Sequence, residues 1–224
     1  MNIQNKKTRA RSPEKKAEQF GKILEEGRKM FIEYGPQGFS TRLLAQKLGM
    51  TQPNLYNYVT SKRELWIAIK SKYYDDYFEE FQNILDEHMG SYLDLFYKFV
   101  EYLIEFLNTD YERFQIMFIL SAPPSQRKGP IEKSYKPFPI LKFALKLVEK
   151  AAKNSEVNRE MAMELFYSIY SYILGATKVR YDLKVSSKIS ESMETFSSMP
   201  YKEYRALILK EIRDRIERSR KKKK

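Results

Sequence analysis

Apolar side chains recur three and four positions apart along almost the whole of this 224-residue chain, and no stretch alternates apolar and polar residues at period two. That spacing gives each segment one apolar stripe, which is buried by packing helix on helix and offers nothing to a sheet. The segment Glu14 to Tyr34 sets Phe20, Ile23, Leu24, Gly27, Phe31 and Tyr34 on one face, with Ser12-Pro13 as a start signal and Gly35-Pro36 as a stop. A short helix over Thr41 to Leu48 follows, capped by Ser40. Another over Gln52 to Tyr58 is capped by Thr51, with Pro53 in its first turn, where no amide hydrogen is needed. Ser61 opens a long helix reaching about Glu87, with Leu65, Ile69, Tyr73, Tyr77, Phe81, Ile84 and Leu85 on its core stripe. Further helices are expected over Tyr92 to Asn108, Tyr111 to Leu120, Ile140 to Lys153, Val157 to Asp182 and Tyr201 to Ser219. Ala122 to Pro139, with five prolines, reads as a long loop, and the Ser-rich Ser186 to Met199 stays ambiguous between a short helix and a turn. The expected class is all-α.

Residue usage removes much chemistry. The chain has no Cys and one His, His88, so disulfide frameworks, zinc fingers, iron–sulfur clusters and thiol nucleophiles are not expected, nor any site built on two imidazoles. No clustered acidic pair suggests a metal site, no catalytic constellation is found, and neither enzyme activity nor a cofactor is expected. No apolar run approaches the roughly 20 residues of a membrane-spanning helix. Met1 to Lys16 is basic and polar without an apolar centre, so no secretory leader is expected and the cytoplasm is the default compartment. The net charge of +12 is uneven: residues 1–72 carry +9, residues 73–200 carry −4 and residues 201–224 carry +7. A basic N-terminal third joined to a mildly acidic middle suggests a polyanion-binding module attached to a body with another task.

Three short-spaced helices with a sharp glycine turn between the second and third make a helix-turn-helix unit. Gly49 is free to take the positive φ of that turn, Ala45 is small where the two helices approach, and Leu48, Leu55 and Val59 supply apolar contacts between them. The stretch from Phe39 to Leu65 closely resembles the DNA-binding domain of the TetR family of transcriptional regulators. The likeness is strongest from about Lys22 to Trp66, through the Gly35–Gly38 hinge, the Thr41 helix start, Leu55-Tyr56-x-Tyr58 and Ser61-Lys62-x-x-Leu65. Tyr58 stands where the family often has His, and Val59 where it often has Phe.

The N-terminal residues of the second helix of such a unit enter the major groove. Gln52 and Asn54 open that helix, and an amide side chain can pair bidentately with adenine. Pro53 can pack on a thymine methyl, and Asn57 joins this set of expected base contacts. Phosphate contacts are expected from Thr41, Arg42 and Thr51 near helix N-termini. The resemblance adds Tyr56, Tyr58 and Lys62 to that set. Thr51 and Ser40 serve as caps with or without DNA, Tyr58 can equally edge the small core, and Arg42 and Lys47 can simply solvate their helix. The basic arm Lys6, Lys7, Arg9, Arg11 suits a minor groove or adds salt-sensitive affinity.

The resemblance implies a homodimer through the last two long helices and an effector cavity enclosed by the middle ones. Leu165, Ile169, Ile173, Gly175, Leu207, Ile208 and Ile212 are the expected dimer residues, with Gly175 allowing close helix approach. The expected cavity lining is Phe96, Phe99, Tyr102, Phe106, Phe114, Met117, Phe118, Phe143, Phe166 and Tyr170, each of which can instead be ordinary core. A small hydrophobic effector, a fatty acyl chain or acyl-CoA, suits that lining, with Arg127, Lys128, Lys133 and Lys136 near an anionic head; Glu101 and Glu105 are expected on the solvated face. The expected organisation is a flexible basic arm over 1–13, a helix-turn-helix domain over 14–60, a helical effector-binding and dimerisation domain over 61–219 and a basic tail over 220–224. A repressor binding a palindromic operator and released by its effector is the expected function, and a non-sequence-specific or nucleoid-type DNA binder the alternative.

Overall fold

The computed structural model describes residues 12–136, 139–186 and 199–221. Every regular element among them is helical: α1 (Pro13–Gly38), α2 (Thr41–Lys47), α3 (Gln52–Tyr56), α4 (Lys62–Asp86), α5 (Tyr92–Thr109), α6 (Tyr111–Phe114), α7 (Pro130–Ser134), α8 (Ile140–Lys153), α9 (Ala162–Ser186) and α10 (Tyr201–Lys221). A π-helical turn, Gln115–Ile119, continues α6, and a 3₁₀ turn, Arg159–Met161, precedes α9. The fold is all-α, a helix-turn-helix domain followed by a larger helical body. No helix among the described residues is long and apolar enough to cross a membrane.

Three expectations about elements change. The stop at Gly35-Pro36 is a kink: Gly35 takes φ 66°, Pro36 enters a fresh helical turn, and that turn runs to Gly38. The expected helix Tyr111 to Leu120 widens after one turn, with the Leu120 amide bonding the Gln115 carbonyl at 2.7 Å. The proline-rich loop contains the single turn α7, started by Pro130. The ambiguous stretch Ser186 to Met199 lies almost wholly outside the described residues, as do the basic arm of residues 1–11 and most of the 220–224 tail.

The chain divides into two compact units, Met1–Tyr73 with Gln115–Lys136, and Tyr74–Phe114 with Pro137–Lys224. The division falls inside α4, not at the expected residue 60. In the first unit, Ile23, Met30, Phe31, Leu44, Leu55, Leu65 and Trp66 are fully buried, with Phe31 stacked on Phe39 at 4.0 Å and edge-on to Trp66 at 4.9 Å. Gly27 lets α4 lie close to α1, since a Cβ there would stand 3.1 Å from a Leu65 methyl.

The first unit also holds a buried carboxylate. Glu64, 1% exposed, lies in the first turn of α4, where its own amide donates to Ser61 Oγ at 3.0 Å. One carboxylate oxygen accepts from the Thr60 amide and hydroxyl, both at 2.5 Å, and the other accepts from the Ile131 amide at 2.7 Å. Arg63 beside it pairs with Glu132 at 2.8 Å and donates to the Pro123 carbonyl at 3.4 Å. The start of α4 is thereby clasped to the Pro123–Glu132 segment, and α7, whose cap Gly129 has no side chain to offer, is capped by Glu64. Burial raises the Glu64 pKa, but hydrogen bonds from Thr60, Ile131 and Glu132 outweigh it and hold the group below the model value of 4.5.

In the second unit, α5 packs on α8 and α9, and α9 packs on α10. Tyr77 and Phe81 of α4 meet Phe99 and Phe106 of α5 and Phe143 of α8 largely edge to face, at 4.9–6.1 Å between centroids. The α8 end closes with Ser155 at φ 60°, its amide bonding the Ala152 carbonyl and the Glu156 amide bonding that of Ala151. Glu156 then caps α5, accepting from the Leu93 amide at 2.8 Å. Arg205 of α10 braces Glu101 and Glu105 of α5 at 2.6 and 3.3 Å, and Tyr201 donates to Glu105 at 2.9 Å. Those two glutamates, expected on a solvated face, are inter-helix braces.

A Cβ at Gly129 would overlap the Glu64 carboxylate, so Gly129→Ala is expected to lower stability by about 1–3 kcal/mol, read from thermal or urea unfolding of the full chain. The depressed folded pKa of Glu64 means that its contribution is complete above the ordinary carboxylate range and fades as pH falls through the folded value. Glu64→Gln is expected to be less stable at neutral pH and to show a flatter loss of stability below about pH 5. A variant profile parallel to that of the parent would show that Glu64 carries no acid-side stability.

Candidate nucleic-acid interface

The turn between α2 and α3 sets the geometry. Gly49 takes φ 62°, its amide bonds the Gln46 carbonyl at 3.0 Å, and the Met50 amide reaches back to the Ala45 carbonyl at 3.0 Å. These two bonds close the last turn of α2 and redirect the chain, and a Cβ-bearing residue at Gly49 would be strained. Ser40 Oγ accepts from the Leu43 amide and Thr51 Oγ1 from the Asn54 amide, so both helices start from hydroxyl caps as expected. Ala45, Leu55 and Val59 are buried, and Leu48 is half-buried.

The helix α3 is five residues long, shorter than expected. Asn57 is its cap, and Tyr58 and Val59 follow in a tight turn bonded to the Leu55 carbonyl. Pro53, Asn54, Tyr56 and Asn57 all face solvent. Gln52 is different. Its Nε2 donates to Thr41 Oγ1 at 3.0 Å and to the Tyr56 hydroxyl at 3.5 Å, and those two hydroxyls stand 3.3 Å apart. The side chain expected to lie free for base reading is therefore tied across both helices to two expected phosphate contacts. Arg42 is exposed on the first turn of α2.

Two more expected phosphate contacts have internal partners. The Tyr58 ring is half-buried and lies parallel to Phe20 of α1 at 6.3 Å, an edge residue of the small core. Lys62 Nζ donates to the Phe39 carbonyl at 3.3 Å, tying the start of α4 to the α1–α2 junction. Lys47 pairs with Glu26 of α1 at 3.3 Å. The Glu64–Arg63 clasp was not foreseen, although Ser61-x-x-Glu64 is a capping-box pattern; its partners, 67 residues away, leave no local signal.

Of the residues expected to line an effector cavity, Phe96, Phe99, Phe106, Phe114, Met117 and Phe166 are buried, and Tyr102, Phe118, Phe143 and Tyr170 half-buried. Met117 and Phe118 belong to the first unit and the other eight to the second. Phe99, Tyr102, Phe106 and Phe143 pack ring to ring with Tyr77 and Phe81 as core. Tyr102 also borders a cleft of about 340 Å³ with Glu101, Glu105 and Arg205, and its hydroxyl donates to Glu80 at 2.6 Å. Burial and Glu80 both push its pKa up, so the phenol stays protonated.

The expected dimer residues need correcting. Leu165, Ile169, Ile173, Ile208 and Ile212 are at most 3% exposed within the single chain, because they form the seam between α9 and α10. A side chain already enclosed there has no surface left for a second copy. Leu207 is 46% exposed, and Gly175 is open with nothing within 4 Å of a built Cβ. Val179, Tyr167 and Met163 are exposed as well.

Residues 23–69 match the family described as bacterial regulatory proteins, tetR family. Over 55 residues the chain is 38% identical to an HTH-type transcriptional regulator of Mycobacterium tuberculosis and to one of Mycobacterium bovis, a match spanning about a quarter of those relatives' length and 25% of this chain. Among solved structures it is similar to a putative tetR family transcription regulator from Shewanella sp. PV-4 (TM-score 0.58, 16% identity, 86% of this chain and 97% of that one). It is also similar in fold to AibR, solved in complex with isovaleryl coenzyme A and operator DNA (TM-score 0.54, 16% identity, 71% and 86% covered). FadR from Bacillus subtilis, solved in complex with stearoyl-CoA, is a third (TM-score 0.53, 12% identity, 85% and 97% covered). With that family's sequence over the helix-turn-helix and the same all-α fold in its body, the chain belongs to the tetR family of bacterial regulatory proteins.

Proposed function

We propose that the chain is a homodimeric transcriptional repressor of the cytoplasm that binds a palindromic operator and releases it when a small hydrophobic effector binds. The observation that carries the reading is the exposed face of α3. Pro53, Asn54 and Asn57 stand free beside a cluster in which Thr41, Gln52 and Tyr56 are held by one another. Free amide side chains next to immobilised hydroxyls suit a surface that reads base edges while registering on phosphate. In this reading residues 14–60 contact DNA, residues 61–219 bind effector and self-associate, and two reading heads meet successive major grooves about 34 Å apart. Gln52 is assigned chiefly to holding Thr41 and Tyr56, which leaves sequence choice to Pro53, Asn54 and Asn57. Arg42 and Thr51 complete the phosphate set with Thr41 and Tyr56, whereas Lys62 and Tyr58 reach phosphate only by loosening their internal contacts.

An acyl chain or acyl-CoA remains the proposed effector. The aromatic and methionine side chains of the body supply an apolar environment for the chain, and two proteins of the same fold were solved with acyl-CoA.

Fluorescence anisotropy with duplex DNA from upstream of the protein's own gene, beside a scrambled duplex at low and physiological salt, tests the reading. Preference for the upstream duplex at physiological salt supports it. Equal binding that collapses with salt favours the general DNA-binding alternative, and a genome-wide selection for bound fragments then decides whether an operator lies elsewhere. Asn54→Ala is expected to cost about 1–3 kcal/mol of discrimination. Tyr56→Phe and Gln52→Ala should weaken operator and scrambled DNA by the same factor; loss of discrimination in Gln52→Ala would return Gln52 to base reading. Titrating stearoyl-CoA into the protein–DNA complex is expected to lower anisotropy to the free-DNA value, with coenzyme A alone inert. No release would discard the acyl assignment.

A further inference from the structure

Four charged side chains line one groove of the second unit without neutralising one another. The groove runs between α9 and α10 as a cleft of about 520 Å³, bordered by Glu164 and Ser168 of α9 and by Glu211, Arg215 and Arg218 of α10. No opposite charge lies within 4.0 Å of any of the four charged groups among the described residues. Arg215 lies over the Tyr172 ring at 4.9 Å, and its buried Nε has no acceptor. Arg218 donates only to the Asp214 carbonyl of its own helix, at 3.2 Å.

Tyr172 also borders the adjoining part of the groove, an apolar cleft of about 240 Å³ where Val179 is 57% and Leu207 46% exposed. A single face thus carries an apolar half and a charged half. The charged half has as many carboxylates as guanidinium groups, spaced so that Glu211, Arg215 and Arg218 lie along one stripe of α10.

Such a face selects its occupant. A polyanion would meet Glu164 and Glu211, and a polycation would meet Arg215 and Arg218, so a partner of one sign is repelled by half of the set. An identical groove turned by a two-fold axis offers both signs again, and every contact it makes is made twice. We propose that the groove is covered by a second copy of this chain, with Glu164 and Glu211 of each copy paired to Arg215 and Arg218 of the other. The proposal rests on the homodimer reading above and names what selects the partner: the apolar half supplies area, and the reciprocal ion pairs set register and exclude unlike chains. The unpaired Arg215 Nε gains its acceptor only in that assembly.

Sedimentation velocity of the full chain across protein and salt concentrations tests this, with two double variants, Glu164→Arg/Glu211→Arg and Arg215→Glu/Arg218→Glu. Wild type is expected to be dimeric, with a dissociation constant that rises with salt. Each double variant alone is expected to dissociate at least ~30-fold more readily, because like charges then face each other across the axis. An equimolar mixture of the two is expected to recover a heterodimer, which a misfolded variant cannot do; far-ultraviolet circular dichroism of each confirms the helical fold. Variants that dimerise alone as wild type does would overturn the ion-pair proposal and leave the homodimer reading intact. A wild type monomeric at every concentration would overturn the homodimer reading and the proposal with it.

Discussion

The left-handed backbone of Gly49 is the constraint on which the proposed DNA-facing surface depends. One residue at φ 62° lets the Gly49 and Met50 amides satisfy the last carbonyls of α2 and turns the chain sharply into α3. That turn buries Ala45 and Leu55 and thereby aims Pro53, Asn54 and Tyr56 outward. It also brings Thr41 of one helix within hydrogen-bonding distance of Gln52 and Tyr56 of the other. Without the positive φ the two helices would lose both their closure and their shared polar cluster.

Buried carboxylates organise the chain beyond that turn. Glu64 answers the amides at the starts of α4 and α7, and Glu156 answers those at the start of α5. Each places negative charge where helix-end amides are unpaired, which offsets the cost of withdrawing a carboxylate from water. Such groups hold distant segments in one arrangement, since their partners lie more than 60 residues away in sequence. The body combines these polar fastenings with an aromatic core around Phe81 and Phe99, where edge-to-face packing fixes α4, α5 and α8 against one another.

The corrected assignments share a physical cause. Helical periodicity identifies an apolar stripe but not which neighbour covers it, so Ile169, Ile173, Ile208 and Ile212 read as free for a partner when α9 and α10 already enclose them. Gln52 read as free because nothing local competes for its amide; its partner Thr41 lies across the turn, eleven residues back. Glu101 and Glu105 read as solvated because α10, which supplies Arg205 and Tyr201, follows about a hundred residues later. In each case the missing fact was the identity of a partner remote in sequence.

Local chemistry was enough to determine the all-α class, the caps at Ser40 and Thr51, the Gly49 turn and the tetR-like reading unit. Their causes are short-range: backbone sterics at glycine, hydroxyls beside unpaired amides, and a repeat of 3.6 residues. The tertiary structure alone decided the kink continuing α1 past Gly35, the clasp of Glu64 on α7, the tethering of Gln52 and the enclosure of the α9–α10 seam. Those outcomes depend on which surfaces meet, and side chains far apart in the chain compete for the same amide, carboxylate or apolar face only once the helices have packed.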